Sequence, residues 1–322
     1  MPLLCPLTIT GLGAYVPQTV ETAEDLAPRI GRPASWILEH TGVARRHIQD
    51  RPIEQMAALA AKEALGDGPP PDMILYAATT PRQLIPDTSI FVARELGLDR
   101  LTCHTVHATC LSFLAGLHAA AGALALGTAQ RILVVSAEVS STSRSWDEPE
   151  SSSLLGDAAA AAVVERSTDG SGLLAWRLRA WPRYADYARY EGCGAAHSPN
   201  DPSTTPAHNT FRMNGTRLYR AALVHSAEVF FQALGDAGLT VDDLALLVPH
   251  QTSGPGLEAL SRSGLPPEKI VNIIAEYGNC VAASIPLALT LAAREGRLKR
   301  GDHVMLFGTA SGLSIGAAVL RW

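Results

Sequence analysis

The chain has 322 residues, with Lys and Arg totalling 26 against 31 Asp and Glu, a formal net charge of −5. That balance supplies no basic field for nucleic acid or an anionic membrane, so neither is an expected partner. Apolar residues make up 47% and charged residues 18%, which excludes a disordered chain and suits a large buried core.

The N-terminal stretch MPLLCPLTITGLG has no basic n-region and no small-residue cleavage site, so no secretory leader is expected. Gly11-Leu12-Gly13 follows a strand, but the third glycine of a dinucleotide fingerprint is absent, which leaves a turn. Residues 72–80, DMILYAATT, read as an apolar strand ending in small polar residues. Residues 102–108 read as a strand in which His104 and His107 point to opposite faces, so they cannot share a metal without a bend. A Gly/Ala/Ser-rich helix starts near Ala108; its apolar run from Leu114 to Gly127 is too short to span a bilayer. Strands follow at Arg131–Glu138 and from Gly156. Between them TSRSWDEPESSS, from Thr142, reads as a surface loop.

A turn-rich joint spans Arg166–Gly172, and a Pro-, Asn- and Tyr-bearing excursion runs from Trp181 to about Asn209. A loop that long is either functional or a variable surface excursion. After it the earlier pattern returns. DLALLVPHQT at 243–252 matches DMILYAATT. NCVAASIPLALTLAAREG from Asn279 matches the helix from Ala108. HVMLFGTA from His303 and LSIGAAVLRW from Leu313 match the two strands that close the first half. The chain therefore reads as a duplicated α/β unit, residues 1–167 and 168–322, with helices on both faces of buried strands. Gly312-Leu313-Ser314-Ile315-Gly316 matches the G-x-S-x-G of hydrolases, but a strand follows the serine where that elbow needs a helix. The five cysteines (5, 103, 110, 193 and 280) include no Cys-x-x-Cys pair. A disulfide framework and a zinc ribbon are not expected, and a reducing cytoplasm is the natural setting.

Repeated α/β units converge on shared sites at strand C-termini and helix N-termini. Cys110, His250 and Asn279 stand at such places. A thiol at a helix N-terminus faces free N–H groups that favour the thiolate, a nucleophile suited to thioesters. By residue type alone Cys110 also fits a small core residue, His250 a satisfied loop histidine and Asn279 a helix cap.

Together the three resemble the Cys–His–Asn triad of the β-ketoacyl-acyl-carrier-protein synthase III (type III ketosynthase) family of the thiolase superfamily. The resemblance runs through Pro249-His250-Gln251, through Gly278–Pro286 (GNCVAASIP) and through the turn and strand at Gly308–Leu320. Near the N-terminus Trp36-Ile37, Thr41-Gly42-Val43 and Arg46-His47-Ile48 carry it too. It implies an α/β thiolase fold, two βαβαβαββ halves in a five-layered αβαβα stack. It implies an acyl-Cys110 intermediate condensed with a malonyl thioester, on acyl carrier protein, by decarboxylative Claisen chemistry to a 3-oxoacyl product. His250 and Asn279 would stabilise the enolate. The backbone N–H of Cys110 and one from the Ser311–Gly312 turn would form the oxyanion hole.

The resemblance places Trp36, Leu111, Leu155, Met213, Thr216 and Ser253 along the substrate path. It places Ile85 where a homodimer partner closes the acyl tunnel, and Arg220 near a carrier-docking helix. No metal or cofactor is implied beyond the acyl-coenzyme A or carrier thioester substrate. Three positions depart from the family: His40, Pro149 and Pro255 stand where it carries basic residues, which weakens nucleotide phosphate binding. Arg144 and Arg82 border the pocket as candidates to clamp a carboxylate-bearing acyl chain, or are solvated surface arginines. Transfer of the acyl group to a hydroxyl or amine, with His250 as base, is the alternative activity.

Overall fold

The structure is a computed structural model and describes residues 3–322. The first half runs β1 (Leu7–Tyr15), α1 (Ile53–Leu65), β2 (Met73–Tyr76), α2 (Thr88–Glu95), β3 (Thr102–Thr105), α3 (Ser112–Leu126), β4 (Arg131–Glu138) and β5 (Ala158–Arg166). The second runs β6 (Gly172–Ala180), α4 (Gly215–Ala237), β7 (Leu246–Pro249), α5 (Gly254–Leu260), α6 (Ser284–Arg294), β8 (His303–Ala310) and β9 (Ser314–Arg321). The first sheet has the order β1-β5-β4-β2-β3 and the second β6-β9-β8-β7. The fifth strand of the second sheet has shrunk to one parallel bridge, Leu247 to Ile270.

Five layers follow from where the apolar faces lie. Helices α3 and α6 fill the space between the sheets, where Phe113, Leu114, Leu117, Ile285 and Leu289 meet Ile132, Val248 and Leu306. The outer face of the first sheet packs on Met56, Ala57, Ala60 and Ala61 of α1. The outer face of the second packs on Val229, Phe230 and Ala233 of α4. Five successive alanines open β5, all fully buried, so helices press close on both faces of that strand.

Three expectations change in detail. The strand expected over 72–80 stops at Tyr76, because the Glu138 side chain takes the N–H groups of Thr79 and Thr80 out of the ladder. The stretch from Thr142 is no surface loop. Ser151, Ser152 and Ser153 sit fully buried in a short helix, Pro149–Leu154, their hydroxyls donating to backbone carbonyls of the same turn. That satisfies the polar groups and permits burial. The apolar stretch is also longer than the Leu114–Gly127 run: the 18-residue window Thr109–Leu126, of which Ser112–Leu126 is helical in α3, has a mean hydropathy of 1.6 and meets the length and composition of a membrane span. In the fold it is the helix packed between the sheets.

Candidate active site

The joined halves enclose a cavity of about 1600 Å³ that brings Cys110, His250 and Asn279 together. Cys110 sits two residues ahead of α3 rather than inside it. Thr109 has a left-handed backbone, φ 50°, which stops the helix from extending back. The Ser112 hydroxyl fixes the turn: it accepts from the Ala108 N–H at 3.0 Å and donates to the Thr109 carbonyl at 2.6 Å.

Two backbone N–H groups, those of Cys110 and Ser311, point at the Cys110 sulfur and favour its thiolate. They are outweighed. Burial, with the negative charge of Glu138 second, pushes the thiol up to about 12. Cys110 therefore rests as a thiol, whereas its place at a helix start predicts a favoured thiolate. Gly312, φ 91°, makes the turn that presents Ser311.

His250 closes β7. Its N–H donates to the Phe307 carbonyl at 2.8 Å, and its carbonyl accepts from Thr252 at 2.9 Å. Burial lowers its pKa to about 4, so the ring is neutral. Nδ1 is buried without a hydrogen-bond partner. An orphan acceptor is tolerated better than an orphan N–H, which puts the proton on Nε2, the nitrogen left open to the cavity. Gln251, fully buried, locks this strand end: its amide donates to the carbonyls of Pro249 and Val271 and accepts from Ile273 N–H. Gly308 must be glycine here, because a Cβ would lie 2.6 Å from the His250 Cβ.

Asn279 is held by both halves. Its N–H donates to the Leu154 carbonyl at 2.8 Å, and its carbonyl accepts from Gly156 at 3.1 Å. Its side-chain oxygen accepts from Val281 N–H at 2.9 Å, and Nδ2 donates to the Thr252 carbonyl at 3.3 Å. One Nδ2 hydrogen is left for a ligand. The helix expected from Asn279 begins only at Ser284.

The cavity wall also includes Leu155, Met213, Thr216, Ser253, Ser311 and Gly312. The excursion after Trp181 is part of this wall through Ala188–Tyr190 and Gly192–Gly194. Leu111 is not: it is fully buried and packs beneath Gly308 and Gly316. Trp36 is not either. Its ring stacks on His40, 4.3 Å between centroids, and it is His40 that faces the cavity. Arg144 is neither clamp nor surface arginine. It is 8% exposed, pairs with Glu21 and turns its Nε to the Ser141 carbonyl. Arg82 lines the cavity and pairs with Glu54 at 3.0 Å. Ile85 is 85% exposed, beyond the Arg82–Leu84 segment that lines the cavity.

Glu138 lines the same cavity and escaped the sequence reading. The signal was a lone acid at the end of an otherwise apolar strand, RILVVSAE. Burial raises its carboxyl to about 7 against the pull of its N–H donors. His107 faces the cavity while His104 does not. Elsewhere Glu191, His197 and His208 bring ligand-type atoms within 4.8 Å of one another. The two imidazoles lie face to face, 3.7 Å apart and 11° from parallel, so their in-plane lone pairs do not converge on one ion.

The family described as 3-oxoacyl-[acyl-carrier-protein (ACP)] synthase III matches residues 105–182, and the C-terminal part of that family matches residues 234–322. A β-ketoacyl-[acyl-carrier-protein] synthase III of Erythrobacter litoralis is 36% identical over 98% of this chain and 98% of its own. The crystal structure of 3-oxoacyl-[acyl-carrier-protein] synthase III from Aquifex aeolicus superposes with a TM-score of 0.90 at 33% identity, covering 98% of this chain and all of that one. The priming β-ketosynthase of the R1128 polyketide biosynthetic pathway is similar too, with a TM-score of 0.90 at 27% identity over 99% of this chain and 97% of that one.

Proposed function

Since the chain belongs to the 3-oxoacyl-[acyl-carrier-protein] synthase III family, we propose that it is an acyltransferase whose Cys110 takes an acyl group and passes it to a malonyl carbanion. One observation carries the residue assignment. Two N–H groups aim at the Cys110 sulfur, and two neutral donors, His250 and Asn279, share its cavity. In the first step the thiol adds to a thioester carbonyl. The oxygen gathers charge between the Cys110 and Ser311 N–H groups, and the departing thiolate leaves with the thiol proton. In the second, the malonyl carboxylate leaves as carbon dioxide. Its bonding pair becomes an enolate that accepts hydrogen bonds from His250 Nε2 and Asn279 Nδ2. The carbanion attacks the acyl carbonyl, expels the Cys110 thiolate and gives a 3-oxoacyl thioester.

The steps balance without an electron carrier, so the thioesters themselves are the only small molecules needed. Transfer to a hydroxyl or amine is the weaker reading. It asks His250 to act as a base, and a histidine lowered to about 4 is a poor one at neutral pH. For the donor, the carrier-bound thioester is preferred to coenzyme A. His40, Pro149 and Pro255 stand where the family carries basic residues, which weakens the grip on nucleotide phosphates; the guanidinium groups that do line the cavity are those of Arg82, Arg189 and Arg262. A homodimer working in the cytoplasm, without membrane or nucleic acid, completes the reading.

Intact-protein mass spectrometry against acyl-carrier and acyl-coenzyme A donors tests it. An acyl adduct in the native protein that disappears in Cys110→Ala is expected. Acylation that persists in that variant would sink the assignment.

A further inference from the structure

Glu138 has an environment that the condensation chemistry leaves unused. It ends β4, is fully buried, and faces the cavity that holds Cys110. One carboxylate oxygen accepts from Thr79 N–H at 2.6 Å. The other accepts from Thr80 N–H at 3.1 Å and from the Thr80 hydroxyl at 2.7 Å. A further backbone donor, Ala282, comes from the second half, three residues after Asn279. The carboxylate thus pins the turn after β2 and the turn after Asn279 to one point beside the nucleophile. No Lys or Arg pairs with it among the described residues. Glu138 lines the cavity with Cys110 and its charge raises the Cys110 thiol, so the two cannot both be charged at low cost.

We propose that Glu138 is a positioning residue that holds the two catalytic turns together and, through its own ionisation, restrains that of Cys110. With Glu138 charged, the thiol is kept as a thiol. With Glu138 neutral, or once Cys110 carries an acyl group, the repulsion is gone. The titratable groups around the carboxylate are Cys110 itself, Cys280, Tyr76, His250 and His107. Burial lifts Cys280 and Tyr76 far above neutrality and holds His250 near 4. Burial also lowers His107 below its ordinary range.

This inference rests on Cys110 being the nucleophile, and the test separates the two. The rate of Cys110 alkylation by iodoacetamide is followed on the Cys110 peptide by mass spectrometry from pH 5.5 to 9, with the exposed Cys193 replaced by Ser throughout, in the protein with native Glu138, Glu138→Gln and Glu138→Asp. The native profile is expected to flatten near pH 7, where the carboxyl ionises. Glu138→Gln is expected to follow one straight logarithmic line, so its rate relative to native grows from near parity at the acid end to roughly tenfold at pH 9. Glu138→Asp keeps the charge and should keep the flattening, and His107→Gln should keep it as well. A native profile with no flattening overturns the proposal without recourse to any variant. A Glu138→Gln to native ratio that is constant with pH overturns it too, since that is the mark of a purely structural role. An acyl adduct that persists in Cys110→Ala would instead remove the nucleophile reading and this inference with it.

Discussion

Thr109 and Val281 stand at matching points of the two halves, each three residues before its central helix, and both hold left-handed backbone, with φ of 50° and 47°. Neither is glycine and both are β-branched, for which this conformation is strained by about 1–3 kcal/mol. The two turns place Cys110 and Asn279, so the strain sits where the chemistry is. Val281→Asn, a residue that tolerates this conformation, is expected to stabilise the fold by about 1 kcal/mol, read as a higher urea midpoint at unchanged slope. A lower midpoint would show that the Val281 side chain contributes more by packing than it costs in strain.

The pH dependence of acylation follows from a thiol pushed up to about 12 and a histidine held near 4. Between those values His250 stays neutral and Cys110 stays a thiol. The fraction of thiolate rises with pH throughout. Single-turnover acylation or iodoacetamide labelling of Cys110 should climb about tenfold per unit from pH 8 to 10 without a plateau. A profile that levels off by pH 8 and stays level to pH 10 would mean that the two N–H donors outweigh burial.

Asn279→Ala removes a donor that we propose serves the enolate but leaves both N–H groups at the Cys110 sulfur. Acyl-adduct formation should remain within a few fold of native, while malonyl-dependent carbon dioxide release falls by about 10²–10³. Equal loss of both steps would place Asn279 in the scaffold and not in the second half-reaction.

Arg144→Ala tests a residue that looked like a substrate clamp. Its guanidinium pairs with Glu21, which also faces the fully buried Arg46 at 3.5 Å. Removing Arg144 leaves Glu21 with Arg46, so it should cost about 1–2 kcal/mol in stability and leave the choice among acyl donors unchanged. A change in donor preference at native stability would restore the clamp.

Much of this architecture was legible because duplication writes the same pattern twice. The strands Arg131–Glu138 and His303–Ala310 carry unbroken apolar runs, and they fall where their composition puts them. Cys110, His250 and Asn279 could be singled out by position in the repeat. What escaped depends on side chains that replace backbone partners. Glu138 takes the N–H groups of Thr79 and Thr80, which shortens a strand. The serines from Ser151 to Ser153 satisfy themselves within their own turn, and so a polar stretch goes inside. Leu111 was placed on the substrate path by the family resemblance, yet in a tight turn adjacent side chains diverge, and it points into the core.

The helix that follows Cys110 has one more consequence. Its flanking sheets come from both ends of the chain, so it stays uncovered until the last strand, Ser314–Arg321, has been made. Until then an 18-residue stretch with the hydropathy of a membrane span is open to the surroundings. The growing chain therefore offers bilayers and other chains a sticky segment until the second sheet has closed over it.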